Sequence, residues 1–181
     1  MFIIGIAGGT CSGKSTLSDR LGEIYDDKCR VIHMDSYFRK PFIHTIAPIT
    51  GIEYIEHNHP DALLLDDLFR DFEEEIASSS HEILIIEGLF ALYLERIREK
   101  LDFKIFVDLP SDERLVRRIK RFTEKGQTFD EITSRYIDTV RFRHNELIEP
   151  TRWHADAVIN GNSGEKSVRM LCAYIDSEIS R

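Results

Sequence analysis

Short apolar runs of strand length alternate along the chain with longer stretches whose apolar residues recur at helical spacing. Phe2–Ala7 (FIIGIA) is apolar throughout but for Gly5, the pattern of a strand covered on both faces. Lys14–Tyr25 follows with Leu17, Leu21 and Ile24 spaced as on a helix, and Val31–Met34 reads as a short second strand. From Asp61, a helix-capping residue type, Leu64, Leu65, Leu68, Phe69, Phe72 and Ile76 make one wide apolar face. Glu82–Glu87 (EILIIE) predicts a third strand, Ala91–Lys100 a helix and Phe103–Leu109 (FKIFVDL) a fourth strand. A very basic helix is expected over Asp112–Lys125 and another helix over Asp130–Glu149, halted by Pro150. Asp156–Asn160 predicts a last strand and Gly164–Ser180 a closing helix. Strands and helices in alternation imply a parallel α/β sheet with right-handed crossovers. Residues 36–60, with Pro41, Pro48, Gly51 and Pro60, read as a long ordered loop, a feature that in a compact domain is usually functional.

At 181 residues the chain is expected to be a single domain over 1–181. Its 24 Lys and Arg against 32 Asp and Glu leave a net charge of −8, so it carries no general basic footprint for nucleic acid or an anionic membrane. Any bound polyanion must be met by a local cluster. No apolar stretch approaches the ~18 residues of a membrane span, and no basic segment precedes the short apolar N-terminus. Cys11, Cys29 and Cys172 are scattered and form no CxxC pair. The expectation is a cytoplasmic protein without nucleic-acid or membrane partners; a homo-oligomer is compatible with the composition.

The strongest chemical signal is Gly8-Gly9-Thr10-Cys11-Ser12-Gly13-Lys14-Ser15, a full G-x-x-x-x-G-K-[ST] match placed between an apolar strand and a helix. Glycines let successive backbone N–H groups point into one anion-binding nest, and the helix N-terminus adds its positive dipole end. Lys14 is expected to reach the β- and γ-phosphates and the Ser15 hydroxyl to bind Mg²⁺. The candidate nucleotide-binding residues are Gly8, Thr10, Cys11, Ser12, Gly13, Lys14, Ser15 and Thr16. The guanine-reading string N-K-x-D does not occur.

Acids stand where strands end, which in an open parallel sheet is beside the ligand crevice. Asp35 follows VIHM and can accept or align an acceptor hydroxyl's proton and touch a Mg²⁺ water; its bland reading is a turn cap. Glu87 closes ILIIE beside Gly88, a Mg²⁺-water position. Asp108 ends the fourth strand, where a helix cap is an equal reading. The basic helix packs Arg114, Arg117, Arg118, Lys120, Arg121 and Lys125 into twelve residues. Like charges three and four apart repel unless an anion compensates them, so this helix is expected to be a phosphate-closing lid rather than a solvated face.

Together these segments resemble the uridine kinase family of P-loop kinases. The resemblance runs in order through GGTCSGKST (8–16), MDSYFRK (34–40), NHPDAL (58–63), IIEGLFALY (85–93), FVDLPSDERLVRRIKR (106–121) and EPTRWHADAVINGN (149–162). It implies a three-layer P-loop NTPase fold, a five-stranded parallel sheet flanked by helices, with a mobile basic lid at about 114–128 and an acceptor segment at about 36–60. It implies ATP and Mg²⁺ as cofactors. It makes Asp35 the catalytic acid–base group, assigns Ser15, Asp35 and Glu87 to Mg²⁺, and gives Lys14, Arg118 and Arg121 to the phosphates. On the acceptor side it points to Tyr37, Asn58, His59, Arg118 and Arg135.

The acceptor side departs from the family pattern. Asn58 stands where the family has a ribose-binding Asp, and Arg135 where it has a Gln near the base. The family's base-reading hairpin is missing, since Ser78-Ser79-Ser80-His81 runs straight into the third strand. The lid pattern E-R-G-R reads Glu124-Lys125-Gly126-Gln127. The expected function is therefore an ATP-dependent kinase of a small alcohol rather than a strict uridine kinase, the added arginine suiting an acceptor that bears a carboxylate or phosphate. A uridine/cytidine or nicotinamide riboside kinase and a non-catalytic nucleotide-binding module are the alternatives. Phe38, Phe42 and Tyr54 are candidates for the acceptor wall and Trp153-His154 for the adenine pocket, packing being an equal reading of each. His44, His57 and His59 have too loose a spacing for a metal site.

Overall fold

A computed structural model gives the fold and describes residues 1–162 and 164–180. Its main sheet has five parallel strands in the order β2-β5-β1-β6-β7: β1 (Phe2–Gly8), β2 (Cys29–His33), β5 (Ile83–Glu87), β6 (Phe103–Asp108) and β7 (Ala157–Asn160). The register aligns Ile6 with both Glu87 and Ile105, His33 with Glu87, and Asp108 with Asn160. The C-terminal strand ends therefore share one edge, where an open α/β sheet binds ligands.

Burial on both faces explains why β5 is apolar up to its last residue. Ile83 and Ile85 project into the layer filled by Ile4, Ile6, Leu21 and, from α7 (Glu165–Ile179), Leu171 and Ile175. Leu84 and Ile86 project the other way, onto Leu68 and Phe72 of α2 (Leu65–Ser78) and onto Phe90. Each such fully buried side chain contributes about 1.5–3 kcal/mol. Helix α1 (Lys14–Tyr25) covers the first layer through Leu17 and Leu21.

Residues 36–60 depart from the expected loop. They contain a two-stranded antiparallel hairpin, β3 (His44–Ile46) with β4 (Glu53–Ile55), separate from the main sheet. Helix α2 starts at Leu65, not at Asp61, because Pro60–Ala62 forms a tight turn capped by His59, whose Nδ1 accepts from Asp61 N at 3.2 Å. The helix expected over 91–100 shrinks to α3 (Glu95–Arg98). The basic helix is α4 (Ser111–Thr123). The segment expected as one long helix begins as α5 (Phe129–Arg135), opened by a Thr128–Glu131 capping box. It then widens into π turns at Tyr136–Val140 and His144–Ile148 around a short α6 (Arg141–Arg143). Only residues 79–82 join α2 to β5. No helix among the described residues is long and apolar enough to cross a membrane.

Candidate active site

The phosphate loop occupies the bend between β1 and α1. Gly13, with φ of +105°, makes the left-handed step from which α1 starts at Lys14. Cys11 also has a left-handed φ, +61°, and Ser12 N donates to Gly9 O at 3.1 Å, so the loop curls on itself. Lys14 is 93% buried within it. Behind the loop lies Arg114, 3% exposed, with Nε donating to Leu109 O at 3.0 Å. A methyl group on Gly9 would stand 2.6 Å from its Nη1.

The Ser15 hydroxyl donates to both oxygens of Glu87, at 3.0 and 3.1 Å, and Glu87 is 1% exposed. His33 Nδ1 lies 3.7 Å from the same carboxylate. Among the described residues no three His, Cys, Asp or Glu side chains gather around a common metal position. The hard oxygen donors of Ser15 and Glu87 suit Mg²⁺, which keeps several waters and takes its remaining ligands from substrate phosphates rather than from a protein cage.

Two cavities meet the loop from its helix side. One, of about 230 Å³, is lined by Cys11, Lys14, Ser15, Thr16, Arg117 and Arg121. The other, of about 420 Å³, lies beyond it between Thr16, Arg20, Arg117, Gly161 and Val168. Arg117 reaches across to Gly161 O at 3.3 Å and to Asn162 Oδ1. Gly161 is fixed by close approach: its N donates to Asp108 O at 2.7 Å, and a Cβ there would meet the Ser12 carbonyl oxygen at 2.0 Å. The sequence reading missed this wall. Trp153 is 90% exposed and lies outside the lining of both cavities.

On the other side of the loop, a cleft of about 280 Å³ brings Thr10, Cys11 and Lys14 together with Asp35, Asn58, Arg118, Arg121 and Arg135. Asp35 sits exposed in the turn Met34–Tyr37 that follows β2. Arg118 is 6% exposed, lies over the Phe122 ring at 4.5 Å and donates to Thr10 Oγ1 at 3.3 Å. Burial first, opposed by the nearby Cys11 and helped by Arg135, brings its pKa down to about 10. Arg135 donates to Ile55 O and lies 2.8 Å from His57 Nδ1. Phe38 and Phe42 flank the His57 ring at 5.0 and 5.1 Å.

Not every expected acceptor residue reaches this cleft. Tyr37 is turned onto α2, its hydroxyl donating to Asp71 at 2.9 Å; burial, then that bond, pushes its pKa up to about 12. His59 caps its own turn and lies outside the cleft lining. Tyr54 bonds Asp138 rather than facing the cleft. Conversely His57, Leu89, Phe122 and Gln127 line it without having been expected there. His57 stands next to the departure Asn58, and Gln127 is itself a departure from the lid pattern, which was the available signal.

The β3–β4 hairpin is docked by polar contacts. Thr50 Oγ1 and Tyr54 OH donate to Asp138 Oδ2 at 2.9 and 2.8 Å, and Arg143 Nε donates to the buried Glu56 at 3.1 Å. Glu56 Oε1 also accepts from Asn58 N, fixing the residue that enters the cleft.

A parallel sheet with a phosphate loop on its central strand, acids after β2 and at the end of β5, and a basic helix over the same edge define a P-loop kinase. The Phosphoribulokinase / Uridine kinase family matches residues 52–166. A uridine kinase of Clostridium botulinum (strain Kyoto / Type A2) is 35% identical over 198 residues, covering 96% of this chain and 95% of its own. A uridine kinase of Deinococcus deserti is 32% identical, covering 98% and 97%. This chain belongs to the phosphoribulokinase/uridine kinase family. Solved structures share the fold: phosphoribulokinase from Rhodobacter spheroides (TM-score 0.63, 17% identity, 90% of this chain and 72% of that one) and Acinetobacter baumannii shikimate kinase in complex with shikimate (TM-score 0.57, 16% identity, 98% and 94%).

Proposed function

We propose that this protein is an ATP- and Mg²⁺-dependent kinase that phosphorylates a hydroxyl of a small-molecule acceptor bound in the Asp35 cleft. The reading takes residues 1–181 as one catalytic domain, with an acceptor segment at about 36–60 and a lid at about 114–128. The observation that carries it is the shared wall of two cavities: Cys11, Lys14 and Arg121 line both the phosphate cavity and the cleft that holds Asp35. An acceptor beside Asp35 therefore faces the terminal phosphate of a nucleotide seated in the loop.

In this reading the loop's N–H groups and Lys14 hold the phosphates. The Ser15 hydroxyl would hold Mg²⁺, with Glu87 and Asp35 serving its waters, and the ion would supply charge neutralisation at the phosphates. Asp35 aligns the acceptor hydroxyl and takes its proton as the new O–P bond forms. The bond from γ-phosphorus to the bridging oxygen breaks, and ADP leaves. Arg118 and Arg121 offset the charge of the transferred group. Closure of the basic helix over the site excludes water and limits idle ATP hydrolysis.

The acceptor site is uridine kinase-like but altered. Asn58 lacks the charge of an Asp, and residues 79–82 leave no room for a hairpin before β5. The 198-residue alignment with the Clostridium botulinum relative takes in 96% of this 181-residue chain, about 174 positions, so that relative carries about two dozen residues absent from this one. A second reading, a nucleoside kinase, is favoured by the 32–35% identity to proteins named uridine kinase.

ADP release from MgATP against uridine, cytidine, nicotinamide riboside, pantothenate, glycerate and sugar phosphates tests both readings. Acceptor-dependent release that Asp35→Asn abolishes is the expected result. Release indifferent to every acceptor contradicts the kinase reading.

A further inference from the structure

Among the buried polar atoms of the described residues, two guanidinium nitrogens that belong to the cleft have no hydrogen-bond partner: Arg118 Nε and Arg135 Nε. An unpaired buried N–H is destabilising, and more so when the group is charged, so two in one cleft call for an acceptor of hydrogen bonds. None of the described residues supplies one. Asp35 is the only carboxylate among the cleft-lining residues, against Lys14, Arg118, Arg121 and Arg135. Glu56, a buried acid whose charge acts on Arg135, is committed at both oxygens, to Arg143 and to Asn58 N. MgATP brings a net charge of about −2, which falls short of the three cations left over once Asp35 is counted.

The cations also divide in space by what holds them. Arg118 touches the phosphate loop through Thr10, whereas Arg135 is tethered to the hairpin side, at Ile55 O and His57. His57 accepts the Arg135 N–H at Nδ1, which leaves the ring proton on Nε2, and its ring is fixed between Phe38 and Phe42. Burial, then the charge of Arg135, holds the His57 pKa below its ordinary value, so it stays a neutral acceptor that positions the guanidinium without adding charge.

We infer that Arg135, positioned by His57, forms a subsite for an oxyanion carried by the acceptor itself, a carboxylate or a phosphate, apart from the phosphates of ATP. This rests on the kinase reading above for the acceptor's hydroxyl, but the subsite is testable without turnover. With Nη2 held by Ile55 O and His57, the Nη1 end of Arg135 is left for an oxyanion in the cleft that this side chain lines, a charge-assisted donor without a carboxylate partner among the described residues. A cationic nucleoside such as nicotinamide riboside meets only like charge there.

The direct test is calorimetric titration of inorganic phosphate into the protein saturated with Mg²⁺ and a non-hydrolysable ATP analogue, which already fills the γ-phosphate position. Phosphate is expected to bind the wild type, and about 10- to 100-fold more weakly to Arg135→Gln. Arg135→Lys, which keeps the charge and loses the contacts that position the guanidinium, is expected to fall between, and melting curves show that both variants fold. No binding, or equal binding by wild type and Arg135→Gln, overturns the subsite. Turnover of glycerol, glycerate and glycerol phosphate then separates the two oxyanions from each other and from a neutral alcohol. A raised KM in Arg135→Gln for the oxyanion used supports the inference. Uridine turnover with a KM that Arg135→Gln leaves unmoved overturns it while the kinase reading stands. Arg135-dependent phosphate binding without ADP release from any acceptor sinks the kinase reading and leaves the subsite.

Discussion

Ser15, in the first turn of α1, and Glu87, at the end of β5, meet through one hydroxyl shared between two carboxylate oxygens at 3.0 and 3.1 Å. The parallel β1–β5 register brings them together by setting Ile6 against Glu87 just before the phosphate loop begins. Donating its proton to Glu87 leaves the Ser15 oxygen's lone pairs free, and Ser15 lines the phosphate cavity.

Glu87→Gln removes the charge and keeps the shape. Outer-sphere partners of this kind are worth about 10- to 100-fold in metal affinity or activity. The Mg²⁺ concentration for half-maximal activity is expected to rise by that factor, and a magnesium titration of the two proteins measures it. Superimposable curves would remove Glu87 from the metal site.

Gly161→Ala pushes a methyl group to 2.0 Å from the Ser12 carbonyl oxygen, a backbone atom of the phosphate loop that cannot swing aside. Overpacking of this sort costs about 1–3 kcal/mol, and each kcal/mol lowers Tm by about 2–4 °C in a chain of this size. The variant is expected to melt earlier and to bind ATP more weakly, because the strain falls on the loop. Unchanged melting and nucleotide affinity would show that the β7–α7 connection does not brace the site.

His144 supplies a pH dependence of stability. It packs behind the loop near Arg114, and burial, then that guanidinium, holds its pKa at about 4 against an ordinary value of 6.5. Glu149 lies 3.2 Å from its Nε2 but is 44% exposed at its side chain, so burial of the ring prevails. The native ring stays neutral while the unfolded ring takes up a proton, so stability falls as pH drops from 6.5 to 4, by on the order of 2 kcal/mol. Denaturant melts of wild type and His144→Gln across that window should show a shallower slope in the variant. Parallel slopes would contradict it.

The sheet and phosphate loop were legible because Phe2–Ala7 and Ile83–Ile86 are apolar on both faces and the loop follows its strand directly. Helix α1 matched its expected bounds, Lys14–Tyr25. The β3–β4 hairpin was not legible: each strand has three residues, their ends exposed, and it is held by Asp138 and Arg143 from far along the chain. The π turns leave no mark in the apolar spacing, since Tyr136, Asp138, Thr139 and Val140 are buried almost consecutively. At the site, residue types pointed to Asp35 and Lys14, and the family resemblance to Arg118 and Arg135, all four of which the fold gathers in one cleft. They could not show that Tyr37 turns to Asp71 or that Arg114 lies beneath the loop, because both directions depend on packing.

The cleft geometry predicts phosphoryl transfer to a small hydroxyl acceptor beside Asp35. Mass spectrometry of a pooled set of nucleosides, hydroxy acids and sugar phosphates, incubated with the protein and MgATP, tests it most directly. One acceptor is expected to gain a phosphoryl group with wild type, about 10²- to 10⁴-fold more slowly with Asp35→Asn. Inorganic phosphate as the only phosphoryl product, or an Asp35→Asn variant as fast as wild type, would contradict the account.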